Sequence, residues 1–200
     1  PARPNERLVA WCSADTLLLE ETHRRGILGS GILVVNDTYG ALCVALEPHA
    51  LWTDSALAVL ALRHNERANR RTQTRIVWST EVPPAAPELV VLRSPKQRPL
   101  FEYQLSRLAR LLPEQTTVLA AGMDKHLSPH TAAILERYIG PAQRHRGQHK
   151  ARLFSAIRDE RSAPEYTGIA TYHSEALSAE LSGLANVFSR EKLDMGTRFL

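Results

Sequence analysis

The chain alternates between short apolar runs and longer segments in which apolar residues recur at helical spacing. The clearest short run is Ile32–Val35, four consecutive apolar residues of which three are β-branched. Such a run is typical of a strand that is buried on both faces of a parallel sheet. The same reasoning predicts further strands over Ala50–Thr53, Arg75–Ser79, Glu88–Leu92 and Thr116–Ala121.

Helical periodicity occupies most of the intervals between these strands. It predicts helices over Arg7–Arg25, Tyr39–Leu46, Ser55–Ala68, Pro99–Leu112 and Pro129–Ile139, with a proline-rich loop at Val82–Pro87. Repeated alternation of strand and helix indicates a mainly parallel sheet with helices on both faces. In the third helix, Asp54 or Ser55 can cap the amino end. The expected apolar face of that helix includes Leu57, Leu60, Ala61 and His64.

The end of the pattern differs from its beginning. Ala142–Gln148 and Lys150–Ile157 are strand-like segments with no helix between them, and Gly147 lies at their join. We therefore predict an antiparallel hairpin that completes a seven-stranded sheet. A parallel sheet closed in this way is the Rossmann-like arrangement of class I methyltransferases, which is an analogy of fold alone. Farther on, Thr167–His173 and Ser178–Leu184 predict a second, short hairpin.

Length and composition agree with one well-buried domain and a short extension. The chain has 200 residues, of which 44% are hydrophobic and 23% charged. Its longest purely apolar run, Ala56–Leu62, is far shorter than the ~20 residues of a membrane span, so we expect no membrane association. Cys12 and Cys43 lie in apolar contexts and are expected to be buried thiols. With no secretory signal recognised, this predicts a cytoplasmic protein.

Positive charge adds a candidate for nucleic-acid binding. The net charge is +4, and arginines cluster in the segments Arg63–Arg75 and Arg144–Arg152. Guanidinium groups can make paired hydrogen bonds to phosphates, although an ordinary solvated surface has the same composition. Our candidates for RNA contact, which include one residue after the fourth strand, are Arg70, Arg71, Lys96, Arg144, Arg146, Lys150 and Arg152.

The last fifteen residues carry the most specific motif. Asn186–Leu200 reads NVFSREKLDMGTRFL and resembles the segment F-S-x-x-x-L-D-x-G-[S/T/A]-x-x-L. That segment opens the catalytic domain of the RlmG/RsmC group of ribosomal RNA guanine-N2 methyltransferases. Its fixed residues present here are Phe188, Ser189, Leu193, Asp194 and Gly196. The first half of the 23S-directed members of this group is also similar to Leu33–Leu42, Pro95–Lys96 and Lys150–Phe154.

The resemblance implies a tandem protein whose halves share the class I methyltransferase fold, with S-adenosylmethionine bound only by the second. Residues 1–160 would form a degenerate methyltransferase-like domain. Residues 161–200 would form a linker hairpin and the start of a truncated catalytic domain. The implied partners are 23S rRNA and the protein's own C-terminal catalytic domain. Residues expected beside the cofactor pocket of that missing domain are Phe188, Asp194, Gly196 and Thr197. Without the pocket we expect this segment to be exposed, loosely ordered or packed on a neighbouring molecule.

The residues of the first half can be compared with what a cofactor loop requires. Aligned with the family pattern V-L-D-L-G-C-G-N-G, Ile32–Gly40 has Val34 for the acid and Asn36 and Thr38 for the first two glycines. Glycine admits a ligand close to the backbone and tolerates positive φ, which threonine strongly disfavours. Only Gly40 remains, so we expect no cofactor here. Asn36 and Asp37 are expected to form an Asx turn instead.

Two further positions have lost the family's chemistry. Asp54 stands where a ribose-binding acid would lie, and we expect it to cap the next helix instead. The N-P-P-F of the catalytic strand end is replaced by Arg93, Ser94, Pro95 and Lys96. A guanidinium offers only donors and cannot accept from the guanine amine. We expect no methyl transfer by these residues. We also expect no metal site, because Pro129 separates His126 from His130.

Three functions stay open at this point. The favoured one is the N-terminal, non-catalytic RNA-recognition half of an S-adenosylmethionine-dependent 23S rRNA (guanine-N2-)-methyltransferase. The second is an interaction module that only scaffolds the catalytic half and does not contact RNA. The third is a small-molecule enzyme with its site at the Asp37–Gly40 turn.

Overall fold

The computed structural model describes residues 9–83 and 86–197. Its centre is a seven-stranded sheet of order β3-β2-β1-β4-β5-β7-β6, in which β1 to β5 are parallel and β7 is antiparallel to both neighbours. The strands are β1 (Ile32–Val35), β2 (Ala50–Thr53), β3 (Arg75–Trp78), β4 (Leu89–Arg93), β5 (Thr117–Met123), β6 (Ala142–Arg144) and β7 (Ala151–Ile157). This confirms the predicted Rossmann-like, class I methyltransferase fold.

Five α-helices cover the sheet. They are α1 (Ser13–Arg25), α2 (Ala41–Leu46), α3 (Ala56–Ala68), α4 (Arg98–Leu111) and α5 (Thr131–Tyr138). The predicted start of the first helix at Arg7 and the end of the last segment, residues 198–200, lie outside the described residues. Cys12 is half-buried at the N-cap of α1, whereas Cys43 is buried in α2. No helix in residues 9–83 and 86–197 is long and apolar enough to cross a membrane.

Each face of the sheet has its own core. Ile32 and Val34 point into a cluster with side chains of α1, α2 and α3. Leu33 and Val35 point into the opposite cluster, which contains side chains of α4 and α5. All four residues are at most 2% exposed, as the continuous apolar run predicted.

The packing face of α3 differs from the expected one, so that prediction is wrong. Ala58, Leu62 and Glu66 are buried. Leu57 is 77% exposed and Leu60 65% exposed. The remaining members of the expected face are also not buried: Ala61 is half-buried and His64 is exposed. The first two turns of α3 are apolar throughout, so periodicity does not select a face there.

The connection from β3 to β4 contains no helix within residues 79–83 and 86–88. A right-handed crossover would place such a helix beside α4, over β2. Residues that follow the seven-stranded sheet in sequence contact α4 there instead. The Ser106 hydroxyl donates to the Pro164 carbonyl (3.2 Å) and accepts from the Tyr166 N–H (3.0 Å). Tyr166 also packs against the core, so residues 164–166 lie on the domain that the seven-stranded sheet and its helices form.

The predicted second hairpin is present. β8 (Ala170–Ser174) and β9 (Ala179–Gly183) form a separate antiparallel pair. Gly168, just before β8, has a φ of +71°, and a Cβ there would lie 3.2 Å from the Tyr103 Cβ on α4. Any side chain at this position would therefore be strained where the segment meets α4.

Candidate functional site

The turn after β1 keeps the backbone form of a ligand loop. Asn36 has a φ of +61° and Gly40 a φ of +84°. Asparagine is one of the few residues with a side chain that tolerates this region. A Cβ at Gly40 would lie 2.7 Å from the Leu62 Cα, so packing of α3 explains why this glycine is present.

The side chain of Asn36 pairs with a buried amide of α4. Its Nδ2 donates to Gln104 Oε1 (2.8 Å) and to the Arg93 carbonyl (3.2 Å), while its Oδ1 accepts from Gln104 Nε2 (2.9 Å). Gln104 belongs to α4 and is 0% exposed. This reciprocal amide pair fixes the end of β1 to α4 and β4. The residues present therefore do not fit a bound S-adenosylmethionine, whose loop needs glycine at this point.

Asp37 serves the structure of the same turn. It is 2% exposed, and its carboxylate accepts from the Gly40 N–H (3.0 Å) and the Cys43 N–H (2.8 Å) at the start of α2. Burial raises the pKa of Asp37, and the two N–H groups offset only part of that rise. The turn considered for a small-molecule site thus uses its carboxylate to hold α2.

Arg93, at the catalytic strand end, turns inward. Its Nε lies 2.8 Å from Asp15 Oδ1 on α1, close enough for an ion pair although the N–H does not point at the oxygen. Its Nη atoms donate to the Ala121 carbonyl (3.3 Å) and to Cys12 Sγ (3.4 Å). Its charge is therefore compensated inside the protein. Lys96, by contrast, is exposed after the strand.

Asp54 does not cap α3, which corrects the expected role. Ser55 is the N-cap, and its hydroxyl accepts from the Ala58 N–H (3.2 Å). The Asp54 carboxylate instead accepts from Asn186 Nδ2 (2.6 Å). A residue distant in sequence therefore occupies the carboxylate that would bind a ribose in the family pattern.

The basic hairpin lies at the carboxyl edge of the sheet, as its pairing requires. Because β7 is antiparallel to β5, with Ala151 opposite Met123, the tip between β6 and β7 adjoins the end of β5. The tight turn is centred on His149 and Lys150, which both have positive φ, and not on Gly147 as expected. The Lys150 carbonyl accepts from the Asp124 N–H (2.8 Å).

Four of the predicted basic residues converge on this edge without an acidic partner. Within residues 9–83 and 86–197, no carboxylate lies within 4 Å of their charged groups, and all four are exposed. They are Lys96, Arg144, Arg146 and Lys150. Arg152 also lies here, but it is half-buried and pairs with Asp124 at 3.2 Å.

Arg70 and Arg71 lie at the opposite edge. They precede β3, and the parallel strands begin at that edge of the sheet. Arg71 pairs with Glu47 at 2.7 Å, while Arg70 is exposed with a φ of +54°. The structure thus separates the two basic segments that the sequence placed in one class.

The family motif after residue 186 lies on the surface. Phe188 is 82% exposed. Asp194 folds back on its own turn, since its Oδ2 accepts from the N–H groups of Gly196 (3.0 Å) and Thr197 (3.4 Å). Through residue 197, and leaving out 1–8 and 84–85, no group of three or more potential metal ligands is found.

Comparison with known proteins assigns the family. A family model described as "RLMG N-terminal domain" matches residues 1–160. The ribosomal RNA large subunit methyltransferase G of Stutzerimonas stutzeri (strain A1501) is 39% identical over 204 residues, covering 99% of this chain and 54% of the relative. The protein of the same name from Alcanivorax borkumensis is 37% identical over 216 residues, covering 100% of this chain and 54% of the relative. The chain spans about half the length of these curated relatives.

Solved structures show the same fold. The Thermus thermophilus 16S rRNA N2 G1207 methyltransferase (RsmC), in complex with AdoMet and guanosine, has a TM-score of 0.66 at 19% identity. That likeness covers 94% of this chain and 50% of RsmC. The ribosomal protein L11 methylase of Lactobacillus delbrueckii subsp. bulgaricus has a TM-score of 0.57 at 15% identity, covering 75% of this chain and 81% of the methylase.

Proposed function

The chain belongs to the RLMG N-terminal domain family, and on that premise we propose that it is the RNA-recognition half of a 23S rRNA (guanine-N2-)-methyltransferase. The relatives are ribosomal RNA large subunit methyltransferases about twice as long as this chain. The missing part would bind S-adenosylmethionine and transfer the methyl group. The 200-residue chain would be non-catalytic and would bind 23S rRNA. It would do so in the cytoplasm, where ribosomal RNA is processed.

One juxtaposition supports this proposal above the others. At the edge where class I methyltransferases bind cofactor and substrate, Asn36 stands in place of a glycine and its amide pairs with Gln104. At the same edge, Lys96, Arg144, Arg146 and Lys150 have no acidic partner in the described residues. Exposed positive charge without acidic partners, beside a loop that lacks the glycines of a cofactor site, favours the RNA backbone as the ligand.

The test is a gel-shift titration with a 23S rRNA fragment. We expect Arg144→Ala, Arg146→Ala and Arg152→Ala together to weaken binding severalfold and to reduce its salt dependence, because each lost phosphate contact lowers the slope of log affinity against log salt by about 1. The matched control is Arg67→Ala, Arg70→Ala and Arg71→Ala, which removes the same charge at the opposite edge.

Two results would contradict the proposal. Equal losses in the triple variant and its control would show that charge alone, and not the hairpin edge, sets the affinity. Transfer of a methyl group to RNA by the 200-residue chain without further protein would exclude a non-catalytic role.

A second candidate, scaffolding of the catalytic half without RNA contact, has its own supporting observation. Leu57 and Leu60 are exposed on α3, and Asn186 hydrogen-bonds Asp54 next to the first turn of that helix. Val187 and Phe188, which follow Asn186, are 51% and 82% exposed. Exposed apolar side chains on α3 and in the segment after Asn186 are the kind of residue that a contact with the second half would bury.

A further inference from the structure

A small cavity lies beside the turn after β1, between the carboxyl ends of β1, β4 and β5. It encloses about 150 Å³, and its lining includes Asn36, Ser94, Lys96, Gly122 and His126. Small-molecule sites usually enclose ~300–1,000 Å³, so this cavity is too small for a nucleoside. It has the size for one compact group such as a phosphate.

The cavity is lined by hydrogen-bond donors. The Ser94 Oγ is buried and has no hydrogen-bond partner in the described residues. The Lys96 ammonium has no carboxylate within 4 Å in the same part of the chain. The nearby acid Asp124 is engaged, because its Oδ1 lies 3.2 Å from Arg152 Nε. In its present rotamer the Ser94 Oγ is not accessible from the cavity, and a rotation about χ1 toward the cavity would let a ligand rich in acceptors supply the missing partner.

The charges around the cavity also favour an anion. Desolvation, followed by the charges of Lys96, Lys125 and Arg93, lowers the pKa of His126. Arg93 is compensated by Asp15, but Lys96 and Lys125 have no such partner in residues 9–83 and 86–197. The cavity is therefore a place of positive potential, which favours an anion.

The cavity also continues the basic hairpin edge. His126 belongs to the short 3₁₀ turn Asp124–His126, which follows β5 directly. The first residue of that turn donates its N–H to the Lys150 carbonyl in the hairpin turn. A polyanion that crosses the hairpin tip would reach the cavity without leaving the edge.

From this arrangement we propose that Ser94, Lys96 and His126 bind a single phosphodiester of single-stranded RNA. The inference rests on the proposed function and assigns to the degenerate catalytic strand end a new ligand, the RNA backbone. Ser94 and Lys96 stand where the family carries part of N-P-P-F. The position that reads a guanine amine in an active enzyme would here hold a phosphate.

The experiment combines fluorescence anisotropy of a labelled single-stranded RNA with NMR of the His126 imidazole in the full chain. We expect Lys96→Gln to weaken binding severalfold and to reduce the salt slope by about 1. Ser94→Ala should weaken binding without changing the slope, because it removes an uncharged donor. Arg70→Gln, at the opposite edge, removes one charge and controls for net charge. RNA should raise the pKa of His126 in the unmodified chain and not in Lys96→Gln.

The outcomes separate this inference from the proposed function. If Lys96→Gln binds RNA as the unmodified chain does, and RNA leaves His126 unchanged, the phosphate site is refuted. Loss of binding in the hairpin triple variant would then still support RNA recognition. If no variant and not even the unmodified chain binds RNA, both are refuted. A His126 shift with inorganic phosphate alone would then identify a site for free phosphate and refute the RNA source.

Discussion

Asn36 stands where a cofactor loop has a glycine, and it has two structural roles. It adopts the positive φ of the turn, and its amide hydrogen-bonds a buried side chain of α4. The partner, Gln104, lies 68 residues away and is fully buried. Because buried amides must be paired, the two side chains depend on each other.

Replacement of Asn36 by glycine tests this dependence. Asn36→Gly keeps the backbone conformation accessible but leaves the Gln104 amide buried without its partner. We expect the free energy of unfolding to fall by about 1–3 kcal/mol in urea titrations. Adding Gln104→Leu should recover part of the loss, since neither amide then remains unpaired. If Asn36→Gly alone is as stable as the unmodified chain, the amide pair contributes nothing to stability.

From the missing glycines and the Arg93 substitution, the sequence predicts that cofactor chemistry is absent from the loop. It did not predict the contacts that these residues make. The contacts of Asn36 with Gln104 and of Arg93 with Asp15 join residues far apart in sequence. No local pattern carries that information, and the same holds for Asn186 occupying Asp54.

Among the elements, the strands were the most predictable. β1 and β2 have the bounds that their apolar runs predicted, because a strand buried on both faces leaves few alternatives. The face of α3 was not predictable, since an apolar first half offers several faces. The role of segment 164–169 was not predictable either. The segment contacts α4 through residues far apart in sequence, and no helix is found in the β3-to-β4 connection within residues 79–83 and 86–88.

Gly168→Ala measures how tightly segment 164–169 packs on α4. The new Cβ would meet the Ala185 Cβ at 3.0 Å and the Tyr103 Cβ at 3.2 Å, in a backbone with a φ of +71°. We expect a loss of about 2–4 kcal/mol, the sum of strain and overpacking. Gly26→Ala is the matched control, because Gly26 has a φ of +70° and no atom within 4 Å of the new Cβ. If Gly168→Ala and Gly26→Ala lose the same free energy of unfolding in urea denaturation, segment 164–169 moves to accommodate the new methyl group.

For the whole molecule, charge and apolar surface are arranged separately. Within the described residues, Lys96, Arg144, Arg146 and Lys150 lie at the carboxyl edge without an acidic partner, while exposed leucines lie on α3. In the proposed enzyme the first surface would contact RNA and the second would contact the catalytic half. The sequence predicted both kinds of residue. Only the sheet topology shows that the two basic segments lie at opposite edges.

Leu57→Gln with Leu60→Gln tests the apolar surface. In the 200-residue chain these exposed residues should change stability by no more than about 0.5 kcal/mol each. In the full-length parent, the double variant should unfold at lower urea concentration and lose methyltransferase activity. Leu62→Ala is the buried control and should cost about 2–5 kcal/mol in both proteins. An unaffected full-length double variant would exclude this surface as the contact.

The packing of segment 164–169 on α4 has a consequence for synthesis. Ribosomes make a chain from its amino end, and domains tend to fold in that order. All seven strands of the main sheet, ending at Ile157, have been made before Pro164 and Tyr166 are added. The surface of α4 beside Ser106 and Tyr103 is therefore covered only after residues 164–168 have been made. During translation, the packing around α4 can be completed only once residues 164–168 have left the ribosome.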